Sequence, residues 1–232
     1  MFINGFDILW DEVDDYVADI QSIRSIDQFT FNKPVTFFCG ENGSGKSTLL
    51  EALAIKNGLN PEGGTRNYNF STYDSYSDLH NHMRLWRSRK PDWMYFLRAE
   101  SFYNVATKEM EYSGVFSERY HDQSHGQSFF SVLMKQTNKN GLYLLDEPEA
   151  ALSCQNQLAL LYLIQSCVKQ NCQFIIATHS PILLGFPGAQ ILSFDEGKIE
   201  EVDYKSTSSY QTMKLFLDRY DYFVKDIKEN DN

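Results

Sequence analysis

The stretch Gly40-Glu41-Asn42-Gly43-Ser44-Gly45-Lys46-Ser47-Thr48 constrains this chain more than any other feature. It fits G-x-x-x-x-G-K-[ST], and its flanks fit as well. The apolar run Val35–Cys39 precedes it, and a helical pattern from Lys46 to Asn57 follows, with Leu49, Leu50 and Leu53 on one face and Gly58 as a stop. Strand, glycine turn and helix in that order let successive N–H groups point inward, and the helix start adds partial positive charge at the same place. A cradle of this kind suits phosphate oxygens. Lys46 is then expected to bridge β- and γ-phosphates, and the Ser47 hydroxyl to be a ligand to Mg²⁺.

A second anchor is Gly141-Leu142-Tyr143-Leu144-Leu145-Asp146-Glu147-Pro148. Its apolar run reads as a buried strand that delivers Asp146 at the carboxyl end, where ligands sit in open α/β sheets. Asp146 there can hold the Mg²⁺ shell, and Glu147 can orient and deprotonate an attacking water.

Between and beyond these anchors, short apolar runs alternate with helical patterns. Phe29–Phe31, Trp93–Arg98, Phe174–Ala177, and a hairpin of Ile191–Phe194 with Ile199–Val202 read as β segments. The spacing of Leu158, Leu161, Ile164 and Val168 predicts a core-facing helix, and helices are also expected over Asp78–Trp86, Ser128–Lys135 and Tyr210–Ile227. Strands alternating with helices imply an α/β fold with a mostly parallel sheet covered on both faces. At 232 residues, with no repeat or low-complexity linker, the chain is expected to form one domain, 1–232.

Composition excludes several classes. Hydrophobic residues at 42% and charged residues at 22% are globular values, against disorder or a collagen-like repeat. The longest purely apolar run, Leu158–Ile164, has seven residues, where about 18 are needed to cross a bilayer. Met1–Asp15 has no Lys or Arg, so a secretory leader is not expected. A net charge of −10 argues against a surface built mainly to neutralise nucleic-acid phosphates. Cys39, Cys154, Cys167 and Cys172 show no metal-ligand spacing and read as small buried hydrophobes in a reducing cytoplasm. His80 and His82 do not share a helix face at four-residue spacing, so no metal site is expected there. The expectation is a soluble, cytoplasmic protein.

The motifs resemble those of ABC-type ATPases. Asp146-Glu147-Pro148 followed by Glu149-Ala150-Ala151-Leu152-Ser153 is similar to the family's Walker B aspartate, catalytic glutamate and D-loop. His179, 33 residues after Asp146 at the end of Phe174–Ser180, resembles the switch histidine that contacts the γ-phosphate. Gln123-Ser124-His125-Gly126-Gln127, with Ser124 22 residues before Asp146, resembles the LSGGQ signature. Within the class, Val35–Ala54, Asn60–Ser71, Phe96–Thr107, Ser124–Ser128 and Gly141–Ser153 are similar to small stand-alone bacterial AAA-family ATPases with SMC- and RecF-like heads. Only 78 residues separate Lys46 from Ser124, leaving no room for a long coiled-coil insertion.

The resemblance implies a P-loop fold of ABC type, with a smaller antiparallel part and a helical signature region at about 72–137. It implies Mg²⁺ and ATP as cofactors, with Glu147, His179 and Lys46 catalytic and Gly40 to Thr48 on the phosphates. Ser124, His125, Gly126 and Gln127 are implied to act in trans in a homodimer that buries two ATP head to tail. His125 departs from the usual second glycine. No glutamine lies between Ser47 and Asp122, so the family's Mg²⁺-contacting glutamine is missing; Glu100 either substitutes or pairs with Arg98. Phe29, Phe31 and Tyr16 are candidates for stacking on adenine. Arg84, Arg87, Arg89 and Lys90 around Trp86 form either a small phosphate-contacting patch or a solvated helix face. Three outputs are compatible: a nucleic-acid or defence ATPase, the nucleotide-binding subunit of a transporter, or a slow switch that docks a partner protein. In no case is direct membrane insertion expected.

Overall fold

The computed structural model describes residues 1–10, 13, 15–65, 76–98, 137 and 140–230. Strands β1 (Ile3–Ile8) and β2 (Gln28–Thr30) flank a short 3₁₀ turn at Tyr16–Asp19 and the one-turn helix α1 (Gln21–Arg24). Strand β3 (Val35–Cys39) leads into α2 (Lys46–Lys56), and β4 (Gly64–Thr65), α3 (Leu79–His82), β5 (Met83–Arg87) and β6 (Trp93–Arg98) follow. Next come β7 (Gly141–Asp146), α4 (Cys154–Val168), β8 (Gln173–Ala177), α5 (Pro181–Leu184), β9 (Gln190–Ser193) and β10 (Glu200–Glu201). Two helices, α6 (Ser208–Asp218) and α7 (Tyr220–Asn230), complete the order.

The main sheet runs β10-β9-β3-β8-β7-β6-β4. Its five central strands are mutually parallel, and only the two-residue edges β10 and β4 pair antiparallel. Side chains alternate between the two faces, as the two-residue repeat of a strand demands. Phe38, Phe96, Leu142, Leu144 and Ile175 pack toward α2, whereas Phe37, Tyr95, Tyr143, Phe174 and Ile176 pack toward α4 and α5. Because both faces are covered, the strands read as unbroken apolar runs. This is the mostly parallel α/β sheet expected from the sequence.

The smaller sheet, β2-β1-β5, is antiparallel. Two buried glutamines tie it to the main sheet. Gln173 Oε1 accepts from the N–H groups of Phe2 (2.7 Å) and Ile3 (3.0 Å), and its Nε2 donates to Ile3 O (2.8 Å). Gln190 spans β2 and β10, with Nε2 donating to Thr30 O at 3.4 Å and Glu201 Oε2 at 3.0 Å. A buried amide with fewer partners would cost about 1–3 kcal/mol, so these contacts fix how the sheets dock.

Several expectations are corrected. Asp78–Trp86 is not one helix: a single turn at Leu79–His82 gives way to β5. Met83-Arg84-Leu85-Trp86-Arg87 pairs with β1 along its length, so edge pairing overrides helical propensity there. Within the region expected to be helical at about 72–137, the described part therefore holds two strands, β5 and β6. The buried stripe of α4 is Gln157, Leu160, Ile164 and Cys167, and Leu158 is 49% exposed. Cys154 is exposed, unlike the buried Cys39, Cys167 and Cys172. The helix expected at 128–135 lies outside the described residues. Among the described residues, no helix is long and apolar enough to cross a membrane and no cluster of three metal-ligating side chains occurs.

Candidate functional site

Three neighbouring parallel strands deliver the site at their carboxyl ends. From β3 comes the phosphate loop, from β7 Asp146 and Glu147, and from β8 His179. Register fixes their level: Phe38 lies opposite Ala177, and Ala177 opposite Asp146.

The loop from Gly40 to Gly45 turns sharply before α2. Gly45 caps the helix in the left-handed region, φ 94°, and a Cβ there would lie 2.8 Å from the Ile23 side chain. Any other residue would be strained and would push α1 away. Leu49, Leu50 and Leu53 then anchor the helix, each worth roughly 1.5–3 kcal/mol when fully buried. The first N–H groups of α2 have no helical carbonyl behind them, as at the start of any helix.

Lys46 folds back over this loop. Its Nζ donates to Gly40 O (2.9 Å) and Glu41 O (2.7 Å). Burial lowers its pKa from the ordinary lysine value, and the carboxylates of Glu147, Asp146 and Asp195 oppose that shift. Ser47 Oγ donates to Asp146 Oδ1 at 2.8 Å, which places two oxygen donors side by side. Such a pair suits a hard cation that keeps waters and takes further oxygens from phosphate, so Ser47 and Asp146 fit Mg²⁺.

Glu147 follows with φ 47° and ψ 50°, its N–H bonded to Ala177 O at 2.9 Å. This left-handed turn lifts its carboxylate out of the sheet toward His179, whose Nε2 lies 3.7 Å from Glu147 Oε1. The His179 N–H donates to Glu149 Oε1 at 2.6 Å, and Ser180 caps α5 through the N–H groups of Ile182 and Leu183. Among the described residues, His179 Nε2 has no hydrogen-bond partner.

Lys46, Ser47, Asp146, Glu147 and His179, all read from the sequence, thus come together. Ser124, His125, Gly126, Gln127 and Glu100 lie outside the described residues. Arg98, set against Glu100 as one alternative, pairs with Glu51 and also approaches Asp146, its Nε 3.7 Å from Oδ2. Burial raises the Glu51 pKa, with Arg98 opposing. Phe31 and Phe29 form an aromatic cluster with Phe6, ring centroids 5.1–6.1 Å apart, so they serve the core. Tyr16 is exposed. The basic residues near Trp86 lie on and after a strand. Arg87 Nη2 donates to Lys56 O (2.9 Å), and the Arg89 guanidinium stacks on Phe2 at 4.5 Å.

Two neighbours of the phosphate loop escaped the sequence reading. Ser22 donates its hydroxyl to Ser44 O, and Asp195 accepts from the Glu41 N–H at 2.9 Å. Each lies far from the loop in sequence, and no local pattern marks it.

Residues 18–80 match the family model described as an AAA domain, and residues 125–184 match that of an AAA ATPase domain. An uncharacterized ABC transporter ATP-binding protein of Haemophilus influenzae is 28% identical over 196 residues, covering 73% of each chain. Matches among solved structures include a nucleotide-free ATP-binding cassette from an ABC transporter, with TM-score 0.45, 16% identity, and coverage of 87% of this chain and 91% of the other. They also include the SMC head domain from Thermotoga maritima, with TM-score 0.46, 14% identity, and coverage of 88% and 100%. By its motif order, its two AAA-type family matches and its curated relative, this chain is similar to ABC-type AAA ATPases.

Proposed function

We propose that this chain binds ATP with Mg²⁺ and hydrolyses it, acting as one domain over residues 1–232. The observation that carries this reading is the Ser47–Asp146 contact at 2.8 Å beside the Glu147–His179 pair at 3.7 Å, at the end of the loop that opens α2. Catalysis of phosphoryl transfer is mostly positioning and charge neutralisation. Lys46 and the N–H groups of Gly43 to Thr48 hold the phosphates. Ser47 and Asp146 hold Mg²⁺, which neutralises phosphate charge when bound. Glu147 takes the proton of the attacking water, and His179 donates to the γ-phosphate.

The family resemblance extends this to a head-to-tail homodimer, in which Ser124, Gly126 and Gln127 of one subunit complete the site of the other. The same reading places the protein in the cytoplasm. For its output we favour a nucleic-acid-related or defence process, on the SMC- and RecF-like motifs. A second reading, the nucleotide-binding subunit of a transporter, draws on the name of the Haemophilus influenzae relative, an ABC transporter ATP-binding protein. A third, an ATP-controlled switch that docks a partner protein, requires only slow turnover.

Glu147→Gln tests the core of the proposal. It should lower ATP turnover by about a hundredfold or more, keep ATP affinity, and run as a dimer in size-exclusion chromatography with ATP. Wild-type turnover in this variant overturns the role of Glu147. A monomer in ATP overturns the shared site.

A further inference from the structure

The phosphate loop is held from behind by a residue that belongs to none of the motifs. Strand β9 lies parallel to β3 with Ser193 opposite Cys39, so both strands end at the same level. The Phe194 N–H bonds to Cys39 O at 2.8 Å, and the chain then turns back through Glu196 (φ 57°) and Gly197 (φ 71°). That turn sets the Asp195 carboxylate against the loop. Oδ1 accepts from the Glu41 N–H at 2.9 Å, and Oδ2 accepts from Ser193 Oγ at 2.9 Å. Gly40 makes the approach possible. At φ 137°, a Cβ on it would meet Asp195 Oδ1 at 3.0 Å and Phe194 Cβ at 3.2 Å.

The far end of the loop is held too, by the Ser22 hydroxyl on Ser44 O. Asn42 and Gly43, between these two ties, are exposed and border an open cleft of about 570 Å³, also lined by Asp19, Gln21 and Glu196. A carboxylate beside an anion-binding loop is electrostatically unfavourable unless it does something an uncharged group would do less well. A charged acceptor bonds an N–H roughly twice as strongly as a neutral one.

We propose that Asp195 is a positioning residue for the phosphate loop. By holding the Glu41 N–H, it fixes the loop's first turn so that the N–H groups that follow stay aimed at phosphate. The proposal rests on the nucleotide-binding reading above.

The test compares wild type with Asp195→Ala, Asp195→Asn and a Lys46→Ala control. Mg²⁺-ATP is the probe, with Kd, kcat and KM measured alongside the thermal midpoint without nucleotide. Asp195→Ala should raise Kd and KM about tenfold while kcat stays within about twofold. Asp195→Asn, whose amide oxygen can still accept from Glu41, should return Kd to within about threefold of wild type. An unchanged Kd in Asp195→Ala overturns the proposal. So does an Asp195→Asn protein as weak in binding as Asp195→Ala, with the same lowered midpoint, since that pattern is a general loss of structure. If wild type binds ATP and Lys46→Ala does not, a failure at Asp195 leaves the nucleotide reading intact. If wild type does not bind ATP, both fall together.

Discussion

Lys46 and Asp146 are 4% and 6% exposed, whereas the adjoining Glu147 and His179 keep 41% and 39% of their side chains in solvent. The first pair is already engaged: Lys46 Nζ has two carbonyl partners, and Asp146 has Ser47 and Arg98. On the other side, the closest approach of His179 Nε2 to Glu147 is 3.7 Å, beyond hydrogen-bond range. The contrast separates what folding builds from what a ligand must finish. The phosphate-loop half is preorganised, which is where electrostatic stabilisation gains most. The Glu147–His179 half is left open, and on the proposed reading it is the γ-phosphate, a water and a partner's signature that complete it.

The largest expected effect comes from breaking the finished half. Lys46→Ala removes a charge that, on the proposed reading, meets the phosphates directly. Its loss should cost about 4 kcal/mol of ATP binding, roughly a thousandfold in Kd, measurable by calorimetry. A loss below tenfold would mean that the loop's N–H groups hold the phosphates almost alone.

Breaking the unfinished half should separate affinity from rate. On the proposed reading, His179→Ala removes a donor that matters only once charge develops on the γ-phosphate. Steady-state kinetics should then show kcat down about a hundredfold, with ATP Kd within about threefold of wild type. If Kd rises as much as kcat falls, His179 is part of the ground-state cradle, and the two halves are not distinct in the way argued above.

The sequence made one kind of information visible. Gly40 to Thr48, Asp146 and Glu147 follow from local patterns that lie where a strand ends, and His179 follows from the resemblance to ABC-type ATPases. The contacts that hold those motifs were hidden. Glu41 and Asp195 are 154 residues apart and meet only because β9 pairs beside β3. Arg98 sits in a recognisable strand, yet its partner Glu51 lies on a different element, facing it across the end of the sheet. Polar residues in the core misled the pattern in α4. Gln157 takes a buried position there because its Nε2 reaches Leu152 O at 3.1 Å and its Oε1 accepts from Ser180 Oγ at 2.6 Å. A hydropathy reading passes over such a residue, and the stripe shifts by one at three positions while Ile164 stays in place. Met83–Arg87 has no strict strand alternation, Leu85 and Trp86 being adjacent apolar residues, and only the pairing with β1 makes it a strand.

Two cysteines report on the two halves and give the smallest effect. Cys39 ends β3 under the phosphate loop, and burial pushes its thiol up to about 12, with Asp195 adding to the shift. Cys154 opens α4 just after the Glu147–Ser153 segment and is exposed. Thiolate is the reactive form. Without nucleotide at pH 8, a maleimide or iodoacetamide should therefore label Cys154 readily and leave Cys39 almost untouched, as read by peptide mass spectrometry. The Cys39 rate should climb about tenfold per pH unit as its small thiolate fraction grows toward 12, for as long as the fold holds. With ATP and the Glu147→Gln substitution, labelling of Cys154 should slow severalfold if a partner covers the segment after Glu147, while Cys39 stays protected. Rapid labelling of Cys39 at pH 8 would show that the phosphate-loop half opens as freely as the other. The contrast between a finished and an unfinished half would then be a matter of time average rather than of construction.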